Sequence, residues 1–559
     1  MSEEARGNVH SMNYSDSKGS PRRVEAVIVG AGFAGLYMLF RLREIGVEAH
    51  VYEAADDVGG VWYWNRYPGA RCDVVSMEYS YSFSNLLQQE WHWSERFATQ
   101  PEILSYLQHV ADRFELRRNI SFSTRVVSAI FDETVQLWEV HTDRGERVLA
   151  RHCIMASGSL SVSRLPDFPG IESFAGEIYH TGEWPHAGVD FAQKKVAVVG
   201  TGSSGVQSIP LIAEQAQHVV VFQRTPNFVV PARNCSLDEN TIAAWKKNYP
   251  ELRERAKYIG TFYEFSDKKA MEVSAQEREA EFRRRWRDGG VNFTHAFKDI
   301  YLDLAANDTA ADFVRARIHE IVADPLVATR LCPKDHPLGA KRICVGSDYY
   351  ETYNRANVTL VDLRDTPIVQ VAGHEIRTTT ESFNCDAIVC ATGYDALTGA
   401  LTRIDIQGRG GAKLKDKWSA GPRNYLGLMS AGFPNFFIIT GPGSPSVLVN
   451  MVIGIEQHVD WIANCILHLR AKDAATIEPV KMSEDDWVQY VNDEADLTLF
   501  PRANSWYIGA NIPGKPRVFL PFVGGIGRYR KICDEVAAAG YSGFEIAGSA
   551  GRSPAMTGG

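Results

Sequence analysis

Gly30-Ala31-Gly32-Phe33-Ala34-Gly35 decides the fold, because a second stretch of the same form, Gly200-Thr201-Gly202-Ser203-Ser204-Gly205, stands later in the chain. Each follows a short apolar run, residues 24–29 and 196–199. Each opens a helical pattern, residues 36–43 and onward to 212. Strand, glycine turn and helix in that order are what a dinucleotide site requires. Glycine permits the tight turn and lets the backbone approach a pyrophosphate. The helix start then offers unpaired N–H groups and partial positive charge to the phosphates. The fold class expected is α/β: two doubly wound dinucleotide-binding (Rossmann-like) domains with a helical insertion.

The residues about 20 positions further on separate the two sites. After the first comes His50-Val51-Tyr52-Glu53-Ala54. Glu53 can accept hydrogen bonds from a ribose diol, which suits FAD or NAD. After the second comes Val221-Phe222-Gln223-Arg224-Thr225. Arg224 stands where the acid would be, and its guanidinium suits a 2′-phosphate. The pair reads as FAD first and NADPH second.

Composition bounds the function from another side. At 559 residues, 45% hydrophobic and 23% charged, the chain has the make-up of a soluble globular protein of two to four domains. A net charge of −9 without a long basic run argues against nucleic acid or an anionic membrane as partner. No apolar run reaches the length of a bilayer span, and residues 1–20 lack the apolar stretch of a signal peptide. The nine cysteines are scattered, with no Cys-x-x-Cys pair and no Cys/His set at zinc spacing. No metal is expected, and the thiols suit a cytoplasm. Cys72 has no second thiol at four- or five-residue spacing, which weakens a flavin–disulfide reductase.

Along the chain, residues 1–23 and 549–559 read as disordered tails. Residues 24–156 and 390–548 read as the FAD-binding domain, 157–236 and 332–389 as the NADPH-binding domain, and 237–331 as the helical insertion. Strand patterns are expected at 120–140, 358–362, 387–390, 425–429 and 436–440. A Gly/Pro-rich loop is expected at 441–446 and a helix at 453–469.

Between the fingerprints lies Phe174-Ala175-Gly176-Glu177-Ile178-Tyr179-His180-Thr181-Gly182-Glu183-Trp184-Pro185. On its residues alone it is either a packed linker with a satisfied histidine or a functional element. Its form, Phe-x-Gly-x-x-x-His-x-x-x-Trp-Pro, resembles the signature of the type I Baeyer–Villiger monooxygenases through Phe174, Gly176, His180 and Trp184. Further stretches resemble the same family: Gly59-Gly60-Val61-Trp62-Tyr63-Trp64 on to Arg71-Cys72-Asp73, Lys341-Arg342 ahead of Asp348-Tyr349-Tyr350-Glu351, Ala391-Thr392-Gly393-Tyr394-Asp395, and Trp506 to Lys515. The resemblance runs over about residues 24–545, and is strongest to the phenylacetone and steroid monooxygenases.

That resemblance implies an FAD- and NADPH-dependent enzyme. Its reduced flavin would form a C4a-peroxide with O2 and insert one oxygen beside a ketone carbonyl, giving an ester or lactone. It also extends to sulfides, and implies no obligatory protein partner. It places a fixed cation on Arg342, held by Asp73. On the FAD side it implies Gly30, Gly32, Ala34, Gly35, Glu53, Val61, Trp62, Tyr63, Trp64, Arg71, Cys72, Asp73, Tyr79 and Val126. The aromatic members could equally be core. On the NADPH side it implies Gly200, Thr201, Gly202, Ser203, Ser204, Gly205, Val206, Gln207, Arg224, Thr225, Lys341, Arg342 and Trp506, with Trp506 on a mobile loop. The substrate region falls on Ser444, Pro445, Ser446 and Met451. The nearest rival is a flavin monooxygenase for amines or sulfides. A non-catalytic NADPH-sensing flavoprotein is a rival of another class.

Overall fold

A computed structural model describes residues 21–548. The expected tails at 1–20 and 549–559 lie outside the described residues. Residues 22 and 23, expected in the first tail, belong instead to the first strand, Arg22–Val29, where Arg22 pairs with Val148 and Arg23 with Leu149.

Two parallel-cored sheets carry the chain. In the first, Arg22–Val29 lies between Ala49–Tyr52 and Arg147–Met155, parallel to both. The strands Val126–Asp132 and Leu137–Thr142 extend it antiparallel, and Phe436–Ile438 returns from late in the sequence to pair with Arg147–Met155. The second sheet has five strands, all parallel. They run in the order Val358–Asp362, His218–Gln223, Lys195–Val199, Ala387–Cys390, Glu177–His180.

Both central strands end in unbroken apolar runs, residues 26–29 and 196–199, because both of their faces are covered there. Along Arg22–Val29, Ala26 and Ile28 enter one core and Val27 and Val29 the opposite one. Along Lys195–Val199, Val196 and Val198 face one core and Ala197 and Val199 the other.

The glycines after each strand answer to close backbone approaches. Gly30 and Gly200 take φ of +103° and +105°. A Cβ on Gly35 would stand 1.8 Å from the Gly30 carbonyl oxygen, and one on Gly205 2.2 Å from that of Gly200. The helices Phe33–Glu44 and Ser203–Gln215 pack onto their strands at these glycines.

Residues 237–331 contain helices, among them Glu239–Ile259, Ala275–Asp288 and Leu304–Ile321, and no strand. Their buried side chains divide between the two cores. Ile242, Tyr249, Ala256 and Phe262 enter the first, while Phe282, Phe293, Phe297 and Val314 enter the second.

Residues 425–429 do not form the expected strand. Leu426 and Gly427 have φ of +58° and +70°, and the segment closes as a turn with the Tyr425 N–H donating to Met429 at 2.8 Å. Its run of apolar side chains mimics a strand, but a buried hydrogen bond from Tyr529 to the Leu426 carbonyl, 2.5 Å, fixes the turn. The helix expected at 453–469 spans Met451–Ala471.

Candidate active site

The two fingerprints open onto one continuous cavity of about 1530 Å³. Gly30, Gly32 and Ala34 line it from the first sheet, and Gly200, Thr201, Gly202, Ser203 and Ser204 from the second. Neither helix carries an acidic residue in its first turn, so both N-termini present undiminished positive potential to the cavity.

At the first site Glu53 is 5% exposed and held by two backbone donors, Ala31 N–H at 2.6 Å and Ala55 N–H at 2.8 Å. Burial pushes its carboxyl above the usual range against the pull of those donors. Val61, Trp62, Trp64, Arg71, Cys72, Asp73, Tyr79 and Val126 also line the cavity. The Trp62 indole N–H donates to the Tyr79 hydroxyl at 3.2 Å, which fixes both rings. Cys72 is buried, and burial followed by the charge of Asp73 raises its thiol well above the ordinary value, so it stays protonated.

Tyr63 is not part of this wall. It turns away to pack with Ala55 and Leu104, and its hydroxyl donates to Asp56. Gly35, Gly205 and Val206 also lie behind the lining. The two glycines serve helix–strand packing, and Val206 is fully buried in the second core.

At the second site, Arg224, Thr225 and Lys341 line the cavity. Arg224 is exposed, and neither Arg224 nor Lys341 makes an ion pair or a hydrogen bond among the described residues. Burial lowers the Lys341 pKa; Asp335 opposes this and the charge of Arg224 adds to it. Two cations left facing the same space fit a phosphate.

Between the sites stands the pair Asp73–Arg342. The Arg342 Nε donates to Asp73 Oδ2 at 2.9 Å and Nη2 to Oδ1 at 2.8 Å, while Nη1 donates to the Val447 carbonyl at 2.8 Å. This fork geometry fixes the guanidinium plane. Burial works against its charge. Asp73 first, then Tyr507, outweigh burial and hold the pKa above the ordinary arginine value. Asp73 follows Arg71, whose backbone bridges Thr99, and Arg342 stands two residues before the strand Cys344–Gly346. Two otherwise separate units thus contribute one charge each.

The third wall is apolar and comes from Val447, Val449, Met451, Ile455 and Trp506. Trp506 packs on the cluster that contains Val447 and Tyr507. Ser444, Pro445 and Ser446, expected at the substrate, are buried and do not line the cavity. The Ser444 hydroxyl donates to the Gly441 carbonyl at 2.7 Å and that of Ser446 to Thr440 at 3.2 Å, so the loop uses its small polar residues to satisfy itself.

Of the signature residues, Trp184 lines the cavity. Phe174 is buried in the second sheet's outer core, and a Cβ on Gly176 would meet the Asp386 carbonyl at 2.3 Å. His180 ends the strand Glu177–His180. Its Nδ1 accepts from Gly182 at 2.9 Å and its ring stands edge-on to Tyr394, 5.9 Å away. Burial lowers its pKa, so the ring is neutral.

Sequence reasoning missed Glu78. It accepts from the Phe262 N–H at 2.9 Å and from Asn450 at 3.2 Å, tying the insertion to the residue that caps Met451–Ala471. Nothing in its local pattern marks it, because its partners are 184 and 372 positions away.

The family model described as flavin-binding monooxygenase-like matches residues 22–236. A Baeyer–Villiger monooxygenase of Pseudooceanicola batsensis is 44% identical over 93% of this chain and 95% of its own. Among solved structures, an oxidized steroid monooxygenase bound to NADP is 54% identical with a TM-score of 0.91, covering 94% of this chain and all 100% of that one. An OTEMO complex with FAD and NADP is 41% identical with a TM-score of 0.91, covering 94% and 100%. Two dinucleotide sites meeting at a fixed arginine, in a chain this similar to such relatives along nearly its whole length, make the chain a member of the Baeyer–Villiger monooxygenases.

Proposed function

We propose that the chain takes FAD at the Gly30–Gly35 site and NADPH at the Gly200–Gly205 site, and inserts one oxygen atom of O2 beside a ketone carbonyl to give an ester or lactone. The single observation that carries this reading is the Asp73–Arg342 ion pair set between the two sites inside one cavity. Residues 22–156 and 391–548, which carry the strands of the first sheet, form the FAD-binding unit. Residues 157–236 and 332–390 form the NADPH-binding unit, one residue beyond the expected boundary because Cys390 completes the strand Ala387–Cys390. Nine unpaired thiols suit work in a reducing cytoplasm.

Bound FAD, reduced by NADPH, would supply the activation of oxygen. The chain's own residues supply the rest. Glu53 receives a ribose diol, while Arg224 and Lys341 receive a 2′-phosphate. Arg342 keeps its charge at any working pH, and Asp73 keeps that charge in place. A preorganised cation of this kind stabilises negative charge building on the ketone oxygen. The apolar wall of Val447, Val449, Met451 and Ile455 excludes water from the reacting centre.

The pocket beside Arg342 takes aryl-substituted and bulky cyclic ketones. Met451 offers it an adaptable apolar face, and its other aliphatic residues leave the polar work to one cation. A sulfide placed there receives the oxygen at sulfur.

The test incubates purified protein with NADPH, O2 and, separately, phenylacetone, a steroid ketone, cyclohexanone, a sulfide and a tertiary amine, with products identified by mass spectrometry. Esters from the first two at higher kcat/KM than from cyclohexanone are expected. Oxidation of the amine without any ester would replace this reading by an amine monooxygenase. NADPH binding without oxygen consumption would replace it by a sensor.

A further inference from the structure

The segment that carries Asp73 belongs in sequence to the first dinucleotide unit, yet it is docked on the second. Tyr67, Ala70 and Val75 bury their side chains in the core beneath the Ser203–Gln215 helix. At that contact one side chain makes two hydrogen bonds across the boundary. The Tyr67 hydroxyl donates to Gln207 Oε1 at 2.8 Å, and Gln207 Nε2 donates to the Arg71 carbonyl at 3.1 Å. Gly69 lies between those two residues with φ +82°, and a Cβ there would stand 2.4 Å from the Gln207 carbonyl oxygen. Helix and segment therefore touch backbone to backbone, with the amide of Gln207 as the polar clasp.

Two residues beyond Arg71 the chain places Asp73 on Arg342. Gln207 sits in the second turn of a helix whose first residues line the second fingerprint's side of the cavity, and Gln207 and Tyr67 line that cavity as well. Any shift of that helix reaches Arg71 through a short, fully hydrogen-bonded path.

From this geometry we propose that Gln207, with Tyr67, is a positioning residue. The clasp holds the 67–73 segment so that the Asp73 carboxylate meets the guanidinium in its two-bond geometry, and it transmits the position of the second helix to that pair. The proposal rests on the oxygen-transfer reading of Asp73–Arg342 above. When the pair is misplaced, oxygen is activated but not delivered, and NADPH, O2 and a proton end as NADP⁺ and hydrogen peroxide instead of ester and water.

Two measurements on the FAD-loaded enzyme test this. In Gln207→Ala, hydrogen exchange of the amides of residues 67–74 should accelerate about five- to tenfold, the lower end of the scale for the two hydrogen bonds it loses. Ester formed per NADPH should fall by a similar factor, about fivefold, with peroxide rising to match, because misplacing a charge at a reacting centre costs rate out of proportion to the displacement. Gln207→Glu keeps the acceptor for Tyr67 but sets an oxygen against the Arg71 carbonyl, and should move both readouts the same way. Tyr67→Phe deletes one oxygen atom and should give a smaller change, and the double variant Tyr67→Phe/Gln207→Ala should be no worse than Gln207→Ala. If Gln207→Ala fails to fold, Tyr67→Phe carries the test.

A variant that only raises the KM for NADPH, with exchange and product partition at wild-type values, would make Gln207 a cofactor contact and overturn the proposal. Faster exchange with unchanged partition would overturn it as well. If the wild type makes no ester from any ketone, the oxygen-transfer reading fails on its own. The exchange measurement then still reports whether the clasp exists.

Discussion

The two glycine fingerprints share a backbone plan and differ in how they are walled. Gly30 and Gly200 have nearly the same φ, and Gly35 and Gly205 meet the same carbonyl of their own turn. Over the first, a second glycine pair closes down. The Gly59 N–H donates to the Ala31 carbonyl at 3.1 Å, and a Cβ on Gly32 would stand 3.3 Å from Gly60 Cα. Over the second there is no such cover, since a Cβ on Gly202 would meet nothing within 4 Å. The acceptors follow suit. Glu53 is buried and already tied to two backbone donors, while Arg224 is exposed and makes no ion pair or hydrogen bond among the described residues. On the proposed assignment, the first site is built to retain its nucleotide and the second to exchange it each turnover. One motif serves both purposes, and the surroundings set which.

The sharpest way to break that comparison is at the ion pair where the two sites meet. Arg342→Ala should lower ester formation about a thousandfold, the upper range for removing a preorganised charge-stabilising group, while reduction of bound flavin by NADPH survives in stopped-flow measurements. Ester production near the wild-type rate would remove Arg342 from its role. Asp73→Ala should cost less, because the cation remains and loses only its orientation.

The shared plan itself is tested by Gly35→Ala and Gly205→Ala. Each puts a methyl group against a backbone carbonyl that cannot move, and each should destabilise its unit by about 3 kcal/mol, the scale of severe overpacking, read as a lowered thermal midpoint. Equal stability to wild type would mean that helix and strand are not pinned there.

The difference in chemistry is tested at Arg224. Arg224→Ala should raise the KM for NADPH about ten- to a hundredfold and leave that for NADH nearly unchanged, as expected for a charge-assisted contact worth about 1.5–3 kcal/mol. Lys341→Ala should act in the same direction more weakly, as a point charge. Equal losses for both cofactors would refute the assignment.

The smallest effect separates the two walls. Gly32→Ala must press on Gly60 and should reduce the FAD content of the purified protein. Gly202→Ala should leave FAD content and thermal midpoint at wild-type values, with its cost confined to the KM for NADPH. Similar loss of FAD in both variants would erase the distinction.

Much of the plan was open to reading along the chain, and the reason is locality. The strands at 358–362 and 387–390 and the helix around 453–469 announce themselves by runs and periods of a few residues, and they lie where those runs lie. Local signals mislead where a distant contact decides. Residues 425–429 are an apolar run like a buried strand, but Tyr529 holds them as a turn from 103 positions away. Ser444 and Ser446 are small enough to line a pocket, and their own backbone takes up their hydroxyls instead. Tyr63 belongs to an aromatic run whose neighbours Trp62 and Trp64 face the cavity, and only the turn of the short Val61–Trp64 helix sends it the other way.

By itself, the sequence determined that this chain builds two dinucleotide units and which acceptor each carries. Turn glycines, buried strand runs and an acid or a guanidinium some twenty positions on act within a single βαβ stretch. Only the tertiary structure decided how those units meet. Asp73 and Arg342 are 269 positions apart, Tyr67 and Gln207 are 140 apart, and no local pattern can register a bond whose two ends share no segment. The physical reason is that a charge pair or an amide clasp is specified by packing in three dimensions. Close-packed cores set that distance to within tenths of an ångström, and sequence spacing does not constrain it at all.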